Sequence, residues 1–225
     1  MKITVLTLFP NMIEPVLNDS IMKRAVDNNL IEIETINFRD FSTNKHKTVD
    51  DTIYGGGAGM LLQVEPIYLG LQSIPNQEKA LKILLSPQGR QYSQVFAKEL
   101  VEYEHIILIC GHYEGFDERV RDYVDLELSI GDYVLTGGEI AALAVIDSVA
   151  RLLPGVLGQK ASYEHDSFYE DFLDYPQYTK PREFNGKKVP DVLLSGNHQE
   201  IAKWREEMKQ IRTKERRPDL LKKKQ

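Results

Sequence analysis

The 225-residue sequence contains one cysteine, one tryptophan and no long hydrophobic run. The lone Cys110 excludes an intrachain disulfide framework and is typical of a reducing compartment, so we expect a cytoplasmic protein. Its place at the end of an apolar run favours a buried core thiol over a nucleophile. The apolar stretch at 2–10 is too short for a signal-peptide core or a membrane span, and no Cys/His cluster has zinc spacing. The sequence therefore predicts neither a membrane segment nor a structural metal.

The net charge of −6 is distributed unevenly along the chain. Residues 201–225 carry ten Lys and Arg against four Asp and Glu, which leaves −12 on the other 200 residues. A basic tail is either a solubilising end or an element that follows RNA phosphates, and composition favours neither. The acidic body argues against non-specific coating of nucleic acid.

Strand-like apolar runs alternate with helix-like segments over residues 1–153. This alternation predicts an α/β fold with a mostly parallel sheet and helices on both faces. A strand at 82–85 is expected to end in a turn at SPQG (86–89). Residues 139–153 are expected to form a strongly apolar helix.

The character of the sequence changes after Gly158, where an acidic, aromatic-rich and aperiodic stretch begins. Beyond it, Asn197 is a good N-cap for a further helix. We therefore predict a domain at 1–158, a flexible interdomain linker at 159–173 and a small, mainly helical domain at 174–225.

Three strand-like runs end in turn or glycine-rich segments, at 85–87, 111–115 and 130–138. Carboxyl ends of parallel strands meet at one edge of a sheet, where ligands of open α/β folds bind. The three segments therefore predict a pocket that binds a small molecule mostly through backbone atoms. The GGGAG segment at 55–59 lacks the strand and the acidic residue of a dinucleotide motif, so we expect only a loop that allows close backbone approach.

Three charged residues have ordinary structural explanations when taken by residue type alone. Asp166 lies in the aperiodic stretch, where an aspartate is usually a solvated charge. Arg151 follows the apolar helix and Glu139 begins it, and both positions suit the helix dipole. Residue type and position assign none of the three to a site.

Nine ordered blocks resemble the TrmD family of bacterial tRNA (guanine-N1-)-methyltransferases, in the SPOUT superfamily. The blocks are LFP (8–10), YGGGAGM (54–60), LSPQGR (85–90), CGHYEGFDERV (110–120), SIGDYVLTGGE (129–139), LLPGVLG (152–158), DSF (166–168), PQYTKP (176–181) and VLLSGNH (192–198). Each block is weak by itself, but their order over nearly the whole chain is specific.

The resemblance implies a SPOUT-type parallel sheet with a deep trefoil knot, an obligate homodimer with the active site at the subunit interface, and S-adenosylmethionine held in the knot loops. True knots are rare, and periodicity alone could not predict one. Carried over residue by residue, the donor site falls on Leu85, Ser86, Pro87, Gly111, Tyr113, Glu114, Gly115, Ile130, Gly131, Asp132, Tyr133, Val134, Leu135, Gly137 and Gly138. This site coincides with the three strand ends.

The implied reaction is methyl transfer to ring nitrogen one of the guanosine immediately 3′ of the tRNA anticodon. That nitrogen carries a proton at neutral pH, so a general base is needed, and the family match assigns Asp166 to this role. Negative charge then builds on the six-position oxygen, and Arg151 matches the cation that stabilises it. In a dimer, Asp166 can serve a donor bound by the other chain.

The family match also assigns tRNA contacts to the C-terminal region. These are Asp174, Lys180, Arg182, His198, Lys203 and Arg205. The sequence departs from the usual family pattern at Ala58, His112, Gln177 and Lys180, where Pro, Arg, His and Arg are respectively frequent. None of these departures touches the assigned base or Arg151.

Two other functions remain open at this point. A SPOUT relative that methylates ribose 2′-hydroxyl groups would not need the DSF aspartate, and a non-catalytic RNA-binding module would not bind S-adenosylmethionine. A dinucleotide oxidoreductase is excluded for lack of a strand-supported GxGxxG. The need for Mg²⁺ is open too, because no metal cage is visible and an ion can arrive with the RNA or the substrate.

Overall fold

The computed structural model of the chain describes residues 1–157 and 166–222. The chain divides into two compact units, Met1–Gln159 and Lys160–Gln225. The first part of the predicted linker, 159–165, lies outside the described residues. The proposed domain and linker boundaries stay predictions. No helix within the described ranges is both long and apolar enough to cross a bilayer.

The first unit is built on a five-stranded parallel sheet, which confirms the predicted α/β class. The strand order is β2-β1-β6-β5-β7. These strands are β1 (Lys2–Thr7), β2 (Glu32–Asn37), β5 (Leu81–Gln91), β6 (His105–Ile109) and β7 (Leu126–Ser129). A separate antiparallel hairpin consists of β3 (Asp50–Thr52) and β4 (Met60–Leu62).

Helices connect the strands of the first unit. They are α1 (Glu14–Leu17), α2 (Ser20–Asp27), α3 (Val64–Gln72), α4 (Gln94–Leu100) and α5 (Glu139–Ala150), with 3-10 turns at Pro10–Met12, Phe38–Phe41, Gln77–Lys79 and Glu118–Tyr123. The expected apolar helix at 139–153 is present but ends at residue 150. Its twelve residues are apolar on most sides because the helix packs into the core.

The sheet is buried on both faces. Along β6, Ile106 and Leu108 join one hydrophobic cluster, and Ile107 and Ile109 join the other. The first cluster includes side chains of α2, α4 and α5, and the second includes side chains of α3. A strand buried on both faces has a continuous apolar sequence, as HIILI does.

Strand β5 departs from the prediction. The expected turn at 86–89 does not end the strand, which continues to Gln91. Leu85 and Arg90 both pair with Leu128 of β7, so the four residues between them leave the ladder and β5 then rejoins it. SPQG is thus a bulge inside a strand, and a bulge re-aims the chain without ending the pairing.

The second unit is smaller and contains one long helix. Its elements are a hairpin of β8 (Glu183–Phe184) and β9 (Lys187–Lys188), a 3-10 turn at Asp191–Leu194, α6 (His198–Arg216) and α7 (Pro218–Lys222). Asn197 caps α6 by accepting hydrogen bonds from the backbone N–H groups of Gln199 and Glu200, as its residue type predicts. Buried Thr213 accepts a hydrogen bond from the Leu173 N–H at 2.9 Å and ties the incoming chain to α6.

Candidate functional site

A cavity of about 340 Å³ lies at the carboxyl edge of the sheet in the first unit. The β5 bulge, the loop after β6 and the loop after β7 form its walls. These are the three segments that the sequence predicted to meet, although the first is a bulge inside β5 and not a strand end. All of the predicted donor-site residues except Asp132 line it; Asp132 is exposed. Sequence reasoning missed Gln88, His112, Phe116, Glu118, Arg121, Leu128, Ser129, Thr136 and Ala141 in its lining.

Backbone hydrogen bonds hold two of these loops against each other. The N–H of Gly138 donates to the carbonyl of Gly111 at 2.9 Å, and His112 pairs with Gly137 in an isolated antiparallel bridge. A Cβ on Gly138 would lie 2.8 Å from the Cα of Cys110, closer than a real Cβ approaches a backbone atom. Glycine is therefore required here by space.

The turn between His112 and Gly115 is closed by the N–H of Gly115, which donates to the carbonyl of His112 at 3.2 Å. Tyr113 has a φ of 59° and Gly115 a φ of 115°, so both occupy the left-handed region. A tyrosine seldom adopts this conformation, which costs of order 1–3 kcal/mol and is common at ligand sites. The turn leaves the Tyr113 ring half exposed at the cavity.

The β3–β4 hairpin is bonded to the same turn. The N–H of Glu114 donates to the carbonyl of Met60 at 3.1 Å, and the N–H of Leu62 donates to the carbonyl of Gly115 at 3.0 Å. A Cβ on Gly59 would lie 2.4 Å from a carboxylate oxygen of Glu114. The glycine loop thus lets the backbone approach the cavity wall closely, in agreement with the prediction from GGGAG.

A buried polar cluster lies behind the cavity and was not predicted. Glu139 is fully buried; it accepts a hydrogen bond from the Thr7 hydroxyl at 2.5 Å, and its carboxylate lies 2.8 Å from Nε2 of His112. The helix-dipole explanation of Glu139 is therefore incomplete, because this carboxylate has two side-chain partners from other segments. The partners are 27 and 132 residues away in sequence, so no local pattern could reveal them.

An arginine is fixed at the side of the cavity by two carboxylates. Nε of Arg121 donates to Glu127 at 2.7 Å, and its Nη1 donates to Glu118 at 2.5 Å. The hydrogen bond to Glu127 is the main reason that the pKa of Arg121 is raised. This guanidinium therefore stays charged in a fixed place.

Cys110 is fully buried at the end of β6, as the sequence predicted. Burial raises the pKa of its thiol well above the ordinary value, and the charge of Glu139 raises it further. Because the thiolate is the reactive form, we expect no reaction of the native protein with a disulfide reagent at pH 8. In denaturant one thiol per chain should react, and rapid labelling of the native protein would contradict the buried position.

The two predicted catalytic residues lie in different units. Arg151 directly follows α5 and is half buried, and its N–H donates to the carbonyl of Asp147 at 3.1 Å. Asp166, also half buried, accepts a hydrogen bond from the Tyr169 N–H on its backbone carbonyl at 3.2 Å. Their catalytic roles stay predictions.

The predicted RNA contacts all lie in the second unit. The Asp174 carboxylate accepts from the Tyr175 N–H and from Nε2 of Gln177, each at 2.7 Å, and the Arg205 guanidinium lies 4.9 Å from the centre of the Tyr175 ring. Tyr175 thus brings Asp174 and Arg205 together. The other four are exposed: Lys180, Arg182, His198 and Lys203.

Comparison with known proteins decides the family. The family model described as tRNA (Guanine-1)-methyltransferase TrmD matches residues 1–223. The chain belongs to the TrmD family. The resemblance inferred from the nine sequence blocks is thereby confirmed.

Curated relatives agree with this assignment. The tRNA (guanine-N(1)-)-methyltransferase of Staphylococcus epidermidis (strain ATCC 12228) is 56% identical over 222 residues, which cover 98% of this chain and 91% of the relative. The enzyme of the same name from Staphylococcus carnosus (strain TM300) is 55% identical with the same coverage. That of Staphylococcus aureus (strain MRSA252) is 55% identical over 224 residues, 99% of this chain and 91% of the relative.

Within residues 1–157 and 166–222, no group of three or more His, Cys, Asp or Glu side chains is arranged to hold a metal ion.

Proposed function

We propose that this chain transfers a methyl group from S-adenosylmethionine to ring nitrogen one of the guanosine immediately 3′ of the tRNA anticodon. It is a tRNA (guanine-N1-)-methyltransferase, since the family match covers residues 1–223 and relatives of that name share more than half of its sequence. The observation that carries the proposal is the cavity at the carboxyl edge of the sheet, whose lining residues lie mostly in the sequence blocks that resemble the family.

The cavity suits an adenosine-type methyl donor. Its volume of about 340 Å³ lies within the range of small-molecule sites. Leu128, Ile130 and Ala141 offer apolar surface to a purine, and the glycine loops offer main-chain donors and acceptors to its edge and to a ribose. S-adenosylmethionine supplies an electrophilic methyl group when it is bound here.

A deep trefoil knot is part of the proposed fold. In the proposed topology, the loops after β6 and β7 thread past each other at the β5 bulge. Its support is the family assignment, together with the close backbone contact of Gly138 with Gly111 and the double pairing of Leu128.

Asp166 is proposed to accept the proton from ring nitrogen one of guanosine. Loss of this proton makes the nitrogen lone pair available for attack on the methyl group. Arg151 is proposed to stabilise the negative charge that develops on the six-position oxygen, and a fixed cation there lowers the barrier directly. Each residue has one role, so each can be tested by one substitution.

The active enzyme is proposed to be a homodimer in which Asp166 of one chain serves the donor cavity of the other. Exposed apolar side chains beside the cavity support a covering subunit. Val134 is 84% exposed, Tyr133 54% and Ile140 52%, and apolar side chains in such a group usually mark an interaction surface.

Cytoplasmic location is part of the proposal because the substrate is tRNA. Any Mg²⁺ that takes part is proposed to arrive with the RNA or the substrate.

The second unit is proposed to bind the tRNA, through Asp174, Lys180, Arg182, His198, Lys203 and Arg205. We expect the double substitution Arg182→Ala/Lys203→Ala to weaken tRNA binding without changing donor affinity. In a plot of the logarithm of the tRNA association constant against the logarithm of the salt concentration, each phosphate contact removed should make the negative slope shallower by about 0.7. Filter binding at several salt concentrations measures both quantities. Lys79→Ala, an exposed lysine just before β5, is the control, and an equal effect of both changes would contradict the assignment.

Methyl transfer from labelled S-adenosylmethionine to a tRNA transcript tests the proposed reaction. The transcript carries guanosine 3′ of the anticodon, and a matched transcript carries adenosine there. We expect label only in the first, at base nitrogen one after nuclease digestion. Label on a ribose hydroxyl would instead support the 2′-O-methyltransferase, and tRNA binding without donor binding would support a non-catalytic module.

A further inference from the structure

We infer that His112 and Glu139 form a buried positioning pair that sets the affinity of the cavity for the methyl donor. This inference rests on the proposed function, and it concerns two residues that do not belong to the donor site carried over from the family. The pair is defined by the 2.8 Å contact between Nε2 of His112 and Oε2 of Glu139. The Glu139 side chain is fully buried and that of His112 is 15% exposed.

The pair belongs to a closed ring of contacts with the end of β1. The Thr7 hydroxyl donates to Glu139 at 2.5 Å and accepts a hydrogen bond from the Phe9 N–H at 2.9 Å. The Phe9 ring then returns to His112, with the two ring centres 4.5 Å apart. Phe9 of the LFP block thus packs against the imidazole that contacts Glu139, a role that its sequence did not indicate.

Both members of the pair are joined directly to the cavity walls. His112 lines the cavity and lies in the loop after β6, whereas Glu139 follows Gly137 and Gly138 at the end of the loop after β7. A Cβ on Gly137 would lie 2.3 Å from Nε2 of His112 and 2.6 Å from Oε2 of Glu139. The glycine backbone therefore rests on the pair, and movement of either side chain moves main-chain groups that face the cavity.

Charge explains why the pair acts on the donor rather than only on stability. A buried carboxylate is costly unless a cation and hydrogen bonds compensate it. When the His112 ring is replaced, Glu139 keeps Thr7 as its remaining side-chain partner, and the buried carboxylate draws water or the neighbouring N–H groups toward it. Those N–H groups belong to the loops that hold the donor. Chemistry at the guanosine depends on other residues, so the expected effect is on donor binding and not on turnover at saturation.

The test uses the full-length protein and S-adenosylmethionine as the titrant in calorimetry. His112→Gln offers a neutral hydrogen-bond donor in place of the imidazole, Glu139→Gln removes the carboxylate, and His112→Arg places a permanent cation opposite Glu139. We expect each glutamine variant to raise the donor Kd about tenfold and the double variant to raise it no further, since the two residues act as one unit. The arginine variant should stay within about threefold of wild type, and kcat at saturating donor should change little in all of them.

The control is His105→Gln. His105 lies at the opposite end of β6, and its Nε2 is 2.9 Å from the hydroxyl of buried Thr4, so it has a comparable contact away from the cavity. The His105→Gln variant should lower the thermal stability without changing the donor Kd. Unchanged donor affinity in both single variants, or multiplied effects in the double variant, would overturn the inference.

Two further outcomes are separated by the same experiment. If Glu139→Gln does not fold, the comparison of His112→Gln with His112→Arg decides, and equal affinities of these two overturn the inference. If wild type itself neither binds S-adenosylmethionine nor transfers a methyl group, the proposed function fails, and the inference fails with it. If wild type binds S-adenosylmethionine and the variants bind it with the same Kd, the inference fails but the proposed function stands.

Discussion

Replacement of Asp166 by Ala is expected to lower kcat for methyl transfer by about 10²–10⁴-fold, the usual contribution of a general base. Ring nitrogen one keeps its proton at neutral pH, so without a base its lone pair is not available to the methyl group. Donor affinity should stay at the wild-type value because the cavity wall is built from residues of the first unit. Single-turnover transfer to the transcript measures the rate, and calorimetry measures the donor affinity.

Two variants make this result specific. Asp166→Asn keeps the shape of the side chain and removes its basicity, so it should be nearly as inactive as the alanine variant. Asp191→Ala removes an exposed aspartate of the same unit and should be fully active. A fully active Asp166→Ala enzyme would leave the methyltransferase in place and remove Asp166 from its mechanism.

Gly89→Ala is expected to lower the free energy of unfolding by about 2–3 kcal/mol, at the upper end for an overpacked core position. A Cβ on Gly89 would lie 2.3 Å from the backbone nitrogen of Leu128 and 2.4 Å from the carbonyl carbon of Glu127. Both atoms belong to β7, so neither can rotate away as a side-chain end can. The β5 bulge has to move, and Ser86 and Pro87 in the cavity wall move with it. Urea unfolding and donor titration should both detect the change.

Gly70→Ala provides the comparison in the same unit. Its Cβ would meet the end of the Leu6 side chain at 3.1 Å, which can shift slightly. Alanine in α3 also gains up to about 1 kcal/mol of helix propensity over glycine, so we expect little net change. Equal stabilities of the two variants would show that the bulge tolerates a side chain.

The position of the cavity could be predicted from the sequence because it follows from two general rules. Apolar runs alternating with helices give a parallel sheet, and the carboxyl ends of its strands meet at one edge. The glycines in 111–115 and 130–138 then marked the walls. The course of β5 could not be predicted, since SPQG has the composition of a turn, and only pairing with β7 keeps it in the sheet.

The contact between His112 and Glu139 could not be predicted from the sequence for a different reason. Each residue has an adequate local explanation, one in a turn and one at a helix start, and the contact exists only after the sheet forms. The place of His112 three residues after β6 indicates only that its ring has few ways to reach water, and not which residue it contacts. The catalytic roles of Asp166 and Arg151 could not be predicted from residue type or position, which favour a structural role for both. Only the family assignment indicates catalysis.

The glycine-rich loops in the cavity wall also have a consequence for inhibition. A compound that binds through the backbone groups of 111–115 and 130–138 contacts atoms that are present whatever the side chains are. Escape by mutation would have to act through the glycines, yet an added Cβ collides with Cys110 at Gly138 and with the His112 ring at Gly137. Drug resistance at this site should therefore arise rarely by point mutation within the wall, and more often by raised expression or by export of the compound.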